Sequence, residues 1–143
     1  MGRDYRKLRV FHTAYNLVLK VYRLTEDFPE SETRNMTDQI RRSATSIPLN
    51  IVEGGSSHSK KVYYNHLNYS YGSARELCIL IELAKDLKYL ELNKFLPIYD
   101  EIEKLKASLY KLMIKLKKEI NLKEKKFKPN YSTLSKVSHF AES

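Results

Sequence analysis

Residues Gln39 to Gly54, QIRRSATSIPLNIVEG, decide how the chain folds. In and just before this stretch Met36, Ile40, Ala44, Ile47 and Ile51 recur at steps of four, four, three and four, which is one apolar stripe of an α-helix. Pro48 lies inside it. A proline there removes one backbone donor and crowds the carbonyl four residues earlier, at about 3 kcal/mol in a helix interior, so a bend is expected. Thr45 and Ser46 stand close enough to take up the freed groups. A second row, Arg42, Ser46, Asn50 and Glu53, follows another face and is expected to hold hydrogen-bonding partners rather than to face open solvent. Gly54 and Gly55 are expected to end the helix by supplying a left-handed residue after its last turn.

On either side the chain divides into further helical segments. Helix one is expected from Leu8 to about Asp27, with Phe11, Ala14 or Tyr15, Val18 and Val21 or Tyr22 inside, and Pro29 stops it. Ser31 offers a cap for helix two, flanked by Glu30 and Glu32. After the turn GGSSHS, Ser59 caps a helix three running to about Lys88. Its tyrosines, Tyr63, Tyr64, Tyr69 and Tyr71, cover more than one face, a width that suggests subunit contacts. Gly72, with Ser70, Ser73 and Ala74, makes a small-residue patch expected to receive the bent second helix. Asn93 is expected to cap helix four, with Pro97 in its opening turns. There Phe95, Ile98, Ile102, Leu105, Leu109, Leu112 and Leu116 alternate by three and four, the spacing of helices crossing at shallow angles. This helix is expected to stop near Asn121, and residues 122–143, with Pro129 and many serines, to form a basic, mobile tail after a domain of residues 1–121.

The run SIPLNIVEG, with FPESE before it and YGSARELCILIELAKDLKYL after it, resembles the bacterial four-helix-bundle family named for intervening sequences in 23S ribosomal RNA genes. The resemblance spans about Tyr5 to Ile120. It implies an all-α, up-and-down antiparallel four-helix bundle that assembles into a ring-like homopentamer, and no catalytic residues. That family is similar in structure to the accessory protein that partners reverse transcriptase in diversity-generating retroelements.

With 143 residues the chain supports a single core, and its 42% hydrophobic content suits a globular protein. No apolar run approaches the roughly 18 residues of a membrane span, and no apolar segment follows the basic start, so a cytoplasmic protein without membrane contact is expected. Cys78 is the sole cysteine and fits a core position. The net charge is +9, unevenly placed: residues 1–10 carry +3, residues 11–103 carry −2, and residues 104–128 carry +8 from ten lysines and two glutamates. Such a local field favours polyanions, whether nucleic acid, acidic protein or anionic lipid.

No site of chemistry is legible. His12, His58, His66 and His139 lack the pairing and the cysteines of a zinc site, and no nucleophile elbow, Walker loop or dinucleotide fingerprint occurs. No cofactor is expected. Glu53 and Glu76 make a nominal carboxylate pair but are better explained as buried or half-buried partners of Arg41, Arg42 or the backbone. Most of the eleven tyrosines are better explained as core or interface residues than as base-stacking platforms. The basic sector stands apart. Lys104, Lys111 and Lys118 repeat at seven with Lys115 alongside, opposite the leucine stripe, and lead into Lys123, Lys125, Lys126 and Lys128. The leading expectation is a non-enzymatic oligomeric bundle binding RNA or DNA through phosphate contacts, as accessory to a nucleic-acid enzyme such as a reverse transcriptase. The alternative is a protein-interaction scaffold whose charge serves solubility or an acidic partner, and an enzyme is the poorest fit.

Overall fold

The structure, a computed structural model, describes residues 8–127. Four helices form, α1 (Arg9–Thr25), α2 (Met36–Gly55), α3 (Lys60–Asp86) and α4 (Leu92–Phe127), with a 3-10 turn at Glu30–Glu32 between the first two. Bonds between helices fix their directions. From Ser46 to Asn50 on α2 the partners on α3 step back from Ser73 to His66. From Lys60 to Cys78 on α3 the partners on α4 step back from Glu119 to Glu103, and from Lys20 on α1 to Asp27 just past its end they step back from Glu101 to Lys94. Each neighbouring pair is therefore antiparallel. Contacts close the ring of helices, α1 with α2 and α4, α3 with α2 and α4, and the α2–α3 pairing is the most extensive.

Each helix contributes one buried stripe. On α1 it is Val10, Ala14, Leu17 and Val21, one register away from the expected Phe11 and Val18, which are half-buried. On α2 the expected Met36, Ile40, Ala44, Ile47 and Ile51 are all buried. On α4 Met113 takes the core position expected of Leu112, which packs at the margin.

The helix ends differ from expectation for local reasons. The 3-10 turn uses Ser31, so α2 starts at Met36, whose N–H donates to Glu32 Oε2 at 3.2 Å in place of a serine cap. Ser59 caps α3 as expected, its hydroxyl accepting from Val62 N–H at 3.3 Å. Asn93 is inside the first turn of α4, not its cap, and Glu91 O accepts from Lys94 and Phe95 N–H. Gly54 and Gly55 lie within α2, both buried, and neither takes a positive φ. The one left-handed residue among those described is Lys88, at φ 64° just past α3.

Helix α4 runs to Phe127, six residues beyond the expected stop at Asn121. The expectation rested on the loss of an apolar stripe, but Leu122 to Phe127, LKEKKF, are mostly good helix formers that continue a helix without a core to face. The expected tail is thus helical over residues 122–127. Lys128 and the remainder of that tail lie outside the described residues.

Candidate functional site

The seam between α2 and α3 comes first, because it carries most of the structural expectations. Pro48 is buried inside α2 and the helix continues through it. The carbonyls just before it have side-chain donors: Asn50 Nδ2 reaches Ser46 O at 2.9 Å, and Ser70 Oγ, buried on α3, donates to Ile47 O at 2.8 Å. Thr45 Oγ1 bonds a turn earlier, to Arg41 O at 2.9 Å. The Ser46 and Ser73 hydroxyls meet at 2.8 Å, and His66 Nδ1–H donates to Asn50 Oδ1 at 3.1 Å. Ser46, Asn50, His66 and Ser73 thus form one polar network between the helices, as half of the expected row.

The other half of that row does not join. Arg42 is exposed and pairs with Asp38 at 3.1 Å, and Glu53 is exposed at the far end of α2. Arg41 turns to α1, its Nε–H donating to Thr25 Oγ1 at 2.9 Å. Glu76 is exposed on α3, so the carboxylates expected as buried or half-buried partners are surface groups. Gly72 is also misplaced by the sequence reading. A Cβ built on it meets nothing within 4 Å, so it faces outward and does not receive α2. Ser70 and Ala74, four apart, fix the inner face of α3, and the residue midway between them in sequence points away from it. The glycine that allows close approach is Gly54, where an added Cβ would lie 2.7 Å from His66 Cβ and 2.9 Å from Tyr63 Cδ2.

Cys78 sits at the α3–α4 boundary, where its thiol donates to Glu103 Oε1 at 3.3 Å. Burial, then that hydrogen bond, pushes the thiol up to about 12, so at neutral pH it is neither a thiolate nucleophile nor a ready metal ligand. Lys106 Nζ, 3.0 Å from the same carboxylate, holds Glu103 below the usual carboxylate range. This group is a satisfied structural cluster. Among the described residues no three histidine, cysteine or acidic side chains gather as a metal site.

The lysines of α4 are arranged differently. Because the helix continues to Phe127, Lys125 joins Lys104, Lys111 and Lys118 in a row repeating every seventh residue, about 32 Å from end to end. Lys115, Lys123 and Lys126 are exposed on the same length of helix. Lys104 pairs with Asp100 at 2.9 Å, so the row is least neutralised from Lys111 onward. The only two carboxylates in that half, Glu119 and Glu124, pair with Lys60 at 3.0 Å and Lys61 at 2.8 Å from the start of α3. These pairs bring two more lysines to the basic end, a contribution the sequence reading missed although both follow directly on the Ser59 cap.

Antiparallel packing turns charge runs into polarity. Residues 53–61 and 104–127, at one end, hold eleven lysines and three glutamates. Residues 26–38 and 82–103, at the other, hold eleven carboxylates and four basic groups. Between α3's start and α4's end at the basic pole lies a half-open cavity of about 670 Å³, lined among others by Lys60, Lys61, Lys123, Glu124, Ile120 and Phe127.

Comparison with known proteins agrees with this architecture. Residues 6–111 match the model of the family described as 23S rRNA-intervening sequence protein, and the chain belongs to that family. A solved structure from Bacteroides thetaiotaomicron, a protein of unknown function from the S23 ribosomal protein family, is similar in fold. The two chains are 23% identical with a TM-score of 0.68, over 73% of this chain and 94% of the other. No curated protein matches the chain. The lysine row beyond Lys111 lies past the residues matched by the family.

Proposed function

We propose that this member of the 23S rRNA-intervening sequence protein family is a non-enzymatic bundle that binds RNA or DNA through phosphate contacts along the outer face of α4. The observation that carries the reading is the continuation of α4 to Phe127, with lysines on its open face and both nearby carboxylates drawn off by Lys60 and Lys61. Contacts to phosphate alone fix position without reading sequence. The protein therefore acts as a general nucleic-acid holder, a cytoplasmic accessory to a nucleic-acid enzyme such as a reverse transcriptase. No helix among the described residues is long and apolar enough to cross a membrane.

Self-assembly, as a homopentamer, is part of this proposal. The outward face of α3 supports it: Tyr69, Ile79 and Leu83 are exposed there, with Gly72 leaving room for another backbone between them. Repeating the basic end around a ring multiplies the field. The same face also favours the second reading, a protein-interaction scaffold with no direct nucleic-acid role.

Fluorescence anisotropy with labelled oligonucleotides over a salt series tests the binding, with an acidic peptide as control. Affinity is expected to be nearly independent of sequence and to fall by about 0.7 to 0.9 log units per neutralised phosphate for each log unit of salt. Absence of binding at low salt moves the assignment to the scaffold. Light scattering tests assembly, and a mass staying at the 16.9 kDa of one chain removes the pentamer.

A further inference from the structure

The lysine row ends at the cavity between α3 and α4, and that cavity is not simply more basic surface. Ile120 and Phe127 give it an apolar side, and its polar lining holds Lys60, Lys61 and Lys123 together with one carboxylate, Glu124. Phe127 is 89% exposed, more than any other large hydrophobic side chain among the described residues. An aromatic ring beside lysines is the combination that single-strand binders use: cations for the backbone, a ring for a base. The volume, about 670 Å³, lies within the usual range of small-ligand sites.

Resting on the phosphate-binding reading of α4, we propose that this cavity receives an unpaired base of a single-stranded nucleic acid. The base stacks on Phe127, and its flanking phosphates lie on Lys60, Lys61 and Lys123. The ion pairs from Lys60 to Glu119 and from Lys61 to Glu124 do not block this. The Lys61–Glu124 pair is exposed and the Lys60–Glu119 pair less than half so, and surface pairs of this kind are weak enough for a phosphate to share the ammonium. A duplex keeps its bases stacked and paired, so it uses the lysine row but not the cavity. The protein therefore prefers single strands, and this preference resides in one side chain.

The chain contains no tryptophan, so Phe127→Trp gives a single indole that reports stacking directly. Full-length protein is titrated with a labelled single-stranded oligonucleotide of about twelve nucleotides and with the blunt duplex of the same sequence. In the single-strand titration, indole emission of the Phe127→Trp variant is expected to quench in step with anisotropy, and in the duplex titration to stay constant. Phe127→Ala is expected to lower single-strand affinity about tenfold while duplex affinity and the salt slope stay at wild-type values. If wild type binds both but the indole is unquenched and Phe127→Ala binds normally, the cavity assignment is overturned and the lysine row stands. If the indole is shielded from acrylamide before any oligonucleotide is added, another part of the protein fills the cavity and the assignment is again overturned. If wild type binds neither strand form at low salt, both assignments fall together.

Discussion

Between α2 and α3 the backbones come so close that one added methyl at Gly54 would lie 2.7 Å from His66 Cβ, whereas along α4 from Lys111 to Lys126 lysine side chains stand open to water. The first region is specified atom by atom. The second is specified by how many charges it holds and by which carboxylates are kept away from them. Substitutions at the seam should therefore act on stability and depend sharply on position, while substitutions on the face should act on binding and depend mainly on charge count.

The largest expected effect is at the seam. Gly54→Leu places a branched side chain against the stem of His66 and against Tyr63 Cδ2 at 2.9 Å, neither of which is the loose end of a flexible chain. A loss of about 3 kcal/mol or more is expected in urea unfolding, at the upper end of ordinary overpacking, because two helix backbones must separate. A variant with the wild-type midpoint would show that the seam has slack and erase half of the contrast.

On the face, replacing Lys111, Lys115 and Lys118 together with glutamine should leave the unfolding midpoint within about 0.5 kcal/mol of wild type, since all three are exposed. The slope of log affinity against log salt should fall by about 2 to 3, one contact's worth for each lysine. Unchanged affinity and slope would mean that the row is only solvated surface. A loss of stability would mean that these lysines hold the fold and that the two regions are not separable.

The sequence made the apolar stripes legible because burial on one side of a helix leaves a period of three to four, and Ile40, Ala44, Ile47 and Ile51 follow it without exception. Small residues leave no such trace of direction. Ser70, Gly72, Ser73 and Ala74 looked like one patch, yet Ser70 and Ser73 bond to α2 while Gly72 points away, since successive residues on a helix point different ways. Helix ends were legible where a single side chain decides, as at Ser59, and not where a neighbour intervenes, as at Glu32, or where helix-forming residues run on without an apolar stripe, as beyond Asn121. Of the basic site the lysines were legible as composition. Their row became complete only with the extended helix, and the partners of Glu119 and Glu124 are set by antiparallel packing, which no local pattern records.

The smallest expected effect is at Gly72, and its sign carries the information. Within one chain a Cβ there meets nothing within 4 Å, so Gly72→Ala should gain the helix propensity that glycine lacks, about 1 kcal/mol, with no clash to offset it. This makes it the counterpart of Gly54, the same residue type on a neighbouring helix with the opposite response. In an assembly the two cases draw together. Gly72 lies on the outward face of α3 with Tyr69, Ile79 and Leu83, and if another copy packs there its backbone is expected near this gap. Gly72→Ala should then raise unfolding stability measured at protein concentrations where single chains prevail, while weakening association measured by sedimentation velocity over a dilution series. A gain in stability with association unchanged would place the subunit contact elsewhere. A loss of stability in the single chain would show that the space beside Gly72 is not open, and the distinction drawn between the two glycines would fail.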